Sequence, residues 1–259
     1  MKSPARFRIF EDPDSACARA TDAVADLIRE RAILGRKVVL GLVAGDTSLP
    51  FFKELIYRHR EEGLSLRNVV TFNTDEYVGI DGSHPASMRA FMQRHLFDHV
   101  DIPPGAVHFP PTTGNSYELD ALCAKHDAAV KRARGIDFQV LSLRLNGSLG
   151  PHHPSVPADG PTQRVAIRRL GRERMAAEFG GIENVPTHIV SVGYRTILRS
   201  RKIIILAWGA RKAYNVRRVI KGPITSAASA TYLQNHPHTC FFLDAPAGRL
   251  IADDSEESS

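Results

Sequence analysis

The sequence predicts an α/β fold of the doubly wound kind, a mainly parallel sheet with helices on both faces. Three observations carry this. Short β-branched apolar runs recur along the chain, longer helical patterns separate them, and the runs are continuously apolar where a half-exposed strand would alternate. Strands of that type need a layer on each side.

The runs are VVLGLV (38–43), VVTF (69–72), FQVLSL (138–143), HIVSVG (188–193), KIIILAW (202–208) and TCFFLD (239–244). They read as strands of a mainly parallel sheet. Helical patterns lie at 14–34, 48–62, 84–98, 115–134, 210–221 and 226–235. Their starts carry signals: Thr47-Ser48 precede a Pro, Gly209 breaks strand from helix, and Ser226 follows a Gly222-Pro223 turn. The stretch 146–186 opens with NGSLGPHHPSVPADGP and continues with RRLGRERMAAEFGG, which reads as an active-site loop with a loosely attached lid helix. A single domain over 1–247 is expected, with 248–259 as a disordered acidic tail.

With 259 residues, 43% hydrophobic and 24% charged, the composition is that of a soluble globular chain large enough to bury a full core. No apolar run approaches the length of a membrane span, and the opening residues lack a secretory pattern, so a cytoplasmic location is expected. Cys17, Cys123 and Cys240 are far apart and have no metal-ligand spacing, so neither disulfides nor zinc are implied. The net charge of +6 points to an anionic ligand, because the arginines are scattered along the sequence without interleaved aromatics. Nucleic acid is therefore not an expected partner.

Ligands of open parallel sheets bind at the carboxyl ends of the strands. After the first apolar strand comes Gly45-Asp46-Thr47-Ser48, a small-residue turn whose N–H groups could hold a phosphate. After the second comes Asn73-Thr74-Asp75-Glu76-Tyr77, whose paired carboxylates suit a general base or a turn cap.

The segment VVTFNTDEYVGI, then His84-Pro85-Ala86-Ser87, then FMQRHLFDHVDIP, resembles the signature of the glucosamine-6-phosphate deaminase family, in which TFNxDEYVGL leads into HPxSY and FFDHVDIP. The likeness covers roughly residues 35–247, through LGLVAGDTSLPFFKEL, VPTHIVSVGYRTIL, ILAWGARKAYNVRRVIKGP and LQNHPHTCFFLDAPA. That family opens the ring of glucosamine 6-phosphate, moves a proton from C2 to C1 and releases ammonia, without metal or organic cofactor.

The resemblance implies roles. Asp75 takes the place of the C2 base, and Lys212 and Arg172 match the phosphate-gripping lysine and lid arginine. Gly45, Asp46, Thr47 and Glu76 fall in the substrate-binding segments. The catalytic loop is where the chain departs most from the family. Where it has DGHIAFNEP, this chain has NGSLGPHHP, so Asn146, Ser148 and His153 replace an aspartate, a histidine and a glutamate. Asparagine exchanges no proton near neutrality and serine is a weak base, whereas histidine titrates there. His153 is either a relocated acid/base or a polar loop residue. Asp46 stands where the family has glycine, and Met88 where it has tyrosine. Tyr194-Arg195 replace small residues, which implies a bulkier, more cationic pocket. The implied activity is an aminosugar-phosphate isomerase/deaminase with altered acid/base groups, and the alternative is a non-catalytic sugar-phosphate binder. The expected ligand is an amino sugar or its phosphate, with assembly into a homo-oligomer left open.

Overall fold

The computed structural model describes residues 5–151 and 156–256. In chain order the elements are β1 (Arg6–Phe10), α1 (Pro13–Ile33), β2 (Val38–Leu42), α2 (Leu49–Glu61), β3 (Val69–Asn73), β4 (Asp75–Tyr77), α3 (Met88–His95), β5 (Val107–His108) and α4 (Ser116–Arg132). They continue with β6 (Phe138–Ser142), β7 (Gln163–Ala166), α5 (Arg169–Met175), β8 (His188–Ser191), α6 (Tyr194–Leu198), β9 (Lys202–Ala207), α7 (Ala213–Lys221), β10 (Thr239–Asp244) and α8 (Ala245–Glu256).

Seven strands form a parallel sheet in the order β1-β10-β9-β6-β2-β3-β5. The period-two alternation of strand side chains divides its residues between two cores. On one face Ile204, Leu206 and Phe242 pack with Ala20 and Val24 of α1 and Phe51 of α2. On the other, Ile203, Ile205 and Phe241 pack with Val216 and Val219 of α7 and Ala247 of α8. Helices therefore cover both faces, as the continuous apolar runs require.

Four expectations are corrected. The run at 188–193 does not join the parallel sheet: β8 is the centre of a separate antiparallel sheet, β4-β8-β7. A short apolar run signals burial, and pairing direction is not written in it. The stretch 146–186 contains strand β7 as well as helix α5. Its lid is firmly packed, since Phe179 meets Tyr77 edge-on with ring centroids 5.4 Å apart and stacks on His84 at 5.5 Å. The third helix starts at Met88 and not at 84, because the Ser87 side chain accepts a hydrogen bond from the Ala90 N–H and caps it. Finally, residues 248–256 of the expected tail are helical, with Ala247 and Ile251, four residues apart on one face of α8, both fully buried, while 257–259 lie outside the described residues.

Candidate active site

Two glycines set the frame. Gly45 after β2 and Gly209 after β9 hold left-handed backbone, φ 141° and 87°, and each leads through one turn of 3₁₀ helix into a longer helix. That conformation favours a residue without Cβ. Both turns project from the C-terminal edge of the sheet, on either side of β6.

Side chains lock the turns together. Lys212 Nζ donates to Thr47 Oγ1 at 3.2 Å, and Trp208 Nε1 donates to the Thr47 carbonyl at 2.8 Å. The Gly209 N–H donates to both carboxylate oxygens of Asp244, at 3.0 and 2.9 Å. Burial pushes the Lys212 ammonium down to about 8, against the opposing pull of Asp244. A desolvated cation beside a hydroxyl and a helix start forms a grip for an anion.

Asp75 lies where β3 passes into the second sheet. The Thr74 N–H donates to the Leu42 carbonyl at 3.0 Å and the Val192 N–H to the Thr74 carbonyl at 2.8 Å, so Thr74 joins the two sheets. Thr74 Oγ1 donates to Asp75 Oδ2 at 2.7 Å. The other oxygen, Oδ1, is buried and has no hydrogen-bond partner among the described residues. Gly150 closes over it: a Cβ there would lie 3.6 Å from Asp75 Oδ1 and 3.5 Å from Ser191 Oγ.

Asn146 and Ser148 engage each other. Asn146 Oδ1 accepts from the Ser148 N–H at 3.1 Å and its hydroxyl at 2.7 Å, a local side-chain turn. The Leu149 N–H then donates to Ser229 Oγ at 3.1 Å, seating the loop. His153, the third expected member of this loop's chemistry, lies outside the described residues.

Glu76, expected in a substrate-binding segment, has a structural task. Its Oε1 accepts from the N–H groups of Tyr77 at 2.9 Å and Met88 at 3.0 Å, and its Oε2 from Arg89 at 2.7 Å, so it anchors the start of α3. Its burial raises its pKa, and these three donors work against that rise. Arg172 likewise points elsewhere: Nη2 donates to the Ile182 carbonyl at 2.9 Å and ties the lid to itself. Tyr194 is buried in the core, its hydroxyl pushed up to about 12 by burial, and Arg195 faces Asp127 at 3.7 Å. The charge of Asp75 contributes to the rise at Tyr194, which places that residue near the expected base.

Beside the Gly45 turn lies a cavity of about 500 Å³, lined among others by Asp46, Tyr77, Met88, Arg94 and Glu178. Its size suits a small ligand. Gly45, Asp46 and Met88 were expected near a ligand, whereas Arg94 and Glu178 were not. Phe91 and Arg94, three residues apart on α3, both reach the cavity, so helical spacing from Met88 was the available signal for Arg94. Glu178 carried no such signal, because its place depends on how the lid folds back. Thr47, Asp75, Lys212 and Arg172 are not part of this lining. Among the described residues no three His, Cys, Asp or Glu side chains could hold a metal ion, and no helix is long and apolar enough to cross a membrane.

Comparison with known proteins bears directly on this arrangement. The family model described as glucosamine-6-phosphate isomerases/6-phosphogluconolactonase matches residues 11–241. The chain belongs to this family. A glucosamine-6-phosphate deaminase of Arthrobacter sp. (strain FB24) is 36% identical over 234 residues, covering 90% of this chain and 88% of the relative. Glucosamine-6-phosphate deaminase 2 of Giardia intestinalis is 37% identical over 231 residues, covering 89% and 86%. Among solved structures, a monomeric glucosamine-6-phosphate deaminase superposes with a TM-score of 0.87 at 29% identity, covering 95% of this chain and 99% of that one. The 6-phosphogluconolactonase of Trypanosoma brucei shares the fold, with a TM-score of 0.74 at 16% identity and the same coverage.

Proposed function

We propose that the chain is an aminosugar-phosphate isomerase/deaminase acting on glucosamine 6-phosphate or a near relative, with Asp75 as the base. One observation carries the reading. Asp75 holds one carboxylate oxygen on the Thr74 hydroxyl and leaves the other buried and unpartnered at the strand ends. A positioned acceptor of this kind can take the C2 proton of the open-chain sugar and return it at C1. Water then adds at the C2 imine, and ammonia leaves to give the ketose phosphate. Lys212 and Thr47 are proposed to grip the phosphate.

The Asn146–Ser148 pair favours a second reading, a sugar-phosphate binder without turnover, because a carboxamide held in a turn relays no proton. The test is incubation with glucosamine 6-phosphate, following ammonia and ketose, alongside Asp75→Asn and His153→Ala. Turnover that falls about 10²–10⁴-fold in Asp75→Asn, with sugar-phosphate binding retained, supports the base. A further loss in His153→Ala would assign that histidine the second proton transfer. Binding without turnover in the unaltered chain would favour the binder.

A further inference from the structure

The arginines that are scattered in sequence gather in space. A hollow of about 790 Å³ lies at the N-terminal ends of β1, β10 and β9, the opposite edge of the sheet from Asp75 and Lys212. Arg6, Arg8, Arg19, Lys202 and Lys221 line it over an apolar floor that includes Ile204 and Phe242, and no acidic residue does. A second hollow of about 660 Å³ shares Arg201 with the first and adds Arg36, Lys37, Arg132 and Arg134. A third shares Arg36 and Lys37 with the second and adds Arg67.

The three hollows form one track along the sheet edge. The residues just before the strands mark its course: His238 before β10, Arg201 before β9, Lys37 before β2 and Asn68 before β3. From β1 to β3 the sheet order makes five strand spacings, about 24 Å at roughly 4.8 Å each. Two of the track's cations are paired at its flanks, Arg19 with Asp22 at 3.5 Å and Arg67 with Asp101 at 3.4 Å, and the one acid in the lining of the three hollows, Asp137, is buried. It accepts from the Val39 N–H at 2.9 Å and pairs with Arg201 at 2.9 Å and Arg31 at 3.6 Å. Arg6, Arg8, Arg36, Lys37, Arg134 and Lys202 are exposed and form no ion pair among the described residues. Arg134 moreover adopts left-handed backbone, φ 66°, and its carbonyl accepts from Arg201 Nη2 at 2.8 Å. Glycine or asparagine would take that conformation more readily, yet a cation occupies it.

We propose that this track is a docking surface for single-stranded nucleic acid, held through its phosphates without sequence preference. The unpaired cations run from β1 to β2, four strand spacings or about 19 Å, which matches at most about five or six phosphates at the roughly 3.4 Å rise of a stacked strand and fewer in an extended one. The first hollow also carries the half-buried aromatic ring of Phe7, against which an unpaired base can stack, and the bases of a duplex are not free to do so. The surface lies at the other edge of the sheet from the sugar-phosphate site, so the two bindings are separable.

The test is fluorescence anisotropy of the full chain with labelled twelve-nucleotide oligo(dT) and oligo(U), titrated across salt. The expected result is binding whose log affinity falls with log salt at a slope of about −3 to −4, as for about four to six phosphates on a single strand. The triple variant Arg8→Glu, Lys37→Glu, Arg134→Glu should weaken it at least thirtyfold and flatten the slope. Lys53→Glu with Lys125→Glu, exposed lysines outside the track, should change it less than threefold. A slope shallower than −2 in the unaltered chain overturns the proposal whether or not the variants fold. Equal losses in both sets of variants would overturn it too, as would capture by phosphatidylserine vesicles or inorganic polyphosphate with no oligonucleotide binding.

Discussion

Lys212 Nζ stands 3.2 Å from Thr47 Oγ1, joining the turn after β9 to the turn after β2 across the intervening strand β6. The lysine is desolvated, and its pKa lies near 8 instead of 10.5. It is therefore charged below that pH and increasingly neutral above it. Affinity for a sugar phosphate should hold from pH 6.5 to 7.5 and decline as pH rises past 8, and Lys212→Met should abolish that decline while binding about 10–100-fold more weakly. Isothermal titration at several pH values checks both. The ligand-free chain carries the opposite sign. Between pH 8 and 10.5 the unfolded state holds the proton that the folded state has lost, so stability rises with pH there, and Lys212→Met should remove that rise.

Asp46 borders the cavity next to the left-handed Gly45. A carboxylate there repels an anionic ligand by about 1 kcal/mol at 4 Å even in bulk water. Asp46→Gly should accordingly tighten phosphate-bearing ligands about fivefold, and Asp46→Asn should recover most of that gain. If neither moves the dissociation constant, the carboxylate points away from the ligand.

Glu76 supports α3, so its variant should be read in stability. In Glu76→Gln the amide group would confront the Arg89 N–H, donor against donor, at a cost of about 1–3 kcal/mol in urea denaturation at neutral pH. Because burial raises the Glu76 pKa, its stabilising contribution is present below the ordinary 4.5 and is lost as pH rises through the raised value. The gap between the two proteins should therefore widen on acidification.

What could be read in the sequence follows from burial. Runs such as VVLGL and KIIILA are buried on both faces, and that is what made β2 and β9 legible. The edge strand β1 reads RFRIF, with Arg6 and Arg8 exposed, and has neither a continuous apolar run nor a neighbour on one side to demand it. β4 was hidden in a different way: Asp75 and Glu76 look like a turn, and only pairing with Val190 and Ser191 makes them a strand. In the site, Lys212 was singled out by the resemblance alone, whereas the turn at Gly45 could be found because it follows an apolar strand. Glu178 could not, because it reaches the cavity only through the packing of the lid on Tyr77, Ile80 and Val165. The basic track was illegible for the same reason, since its members meet only where six strands begin side by side.

Arg172 and Arg94 offer the sharpest separation between a role implied by resemblance and one implied by geometry. Arg172 donates to the Ile182 carbonyl and so braces the lid, whereas Arg94 lines the cavity beside Asp46 and Glu178. Arg172→Ala should loosen the lid, which limited proteolysis near Gly180 would detect, and should weaken sugar-phosphate binding by less than about threefold. Arg94→Ala should leave the proteolytic pattern unchanged and weaken binding by about tenfold or more, the loss of one charge-assisted hydrogen bond. The reverse pattern would mean that the lid swings Arg172 into the site when ligand binds, and that the cavity at Arg94 takes no part in holding the phosphate.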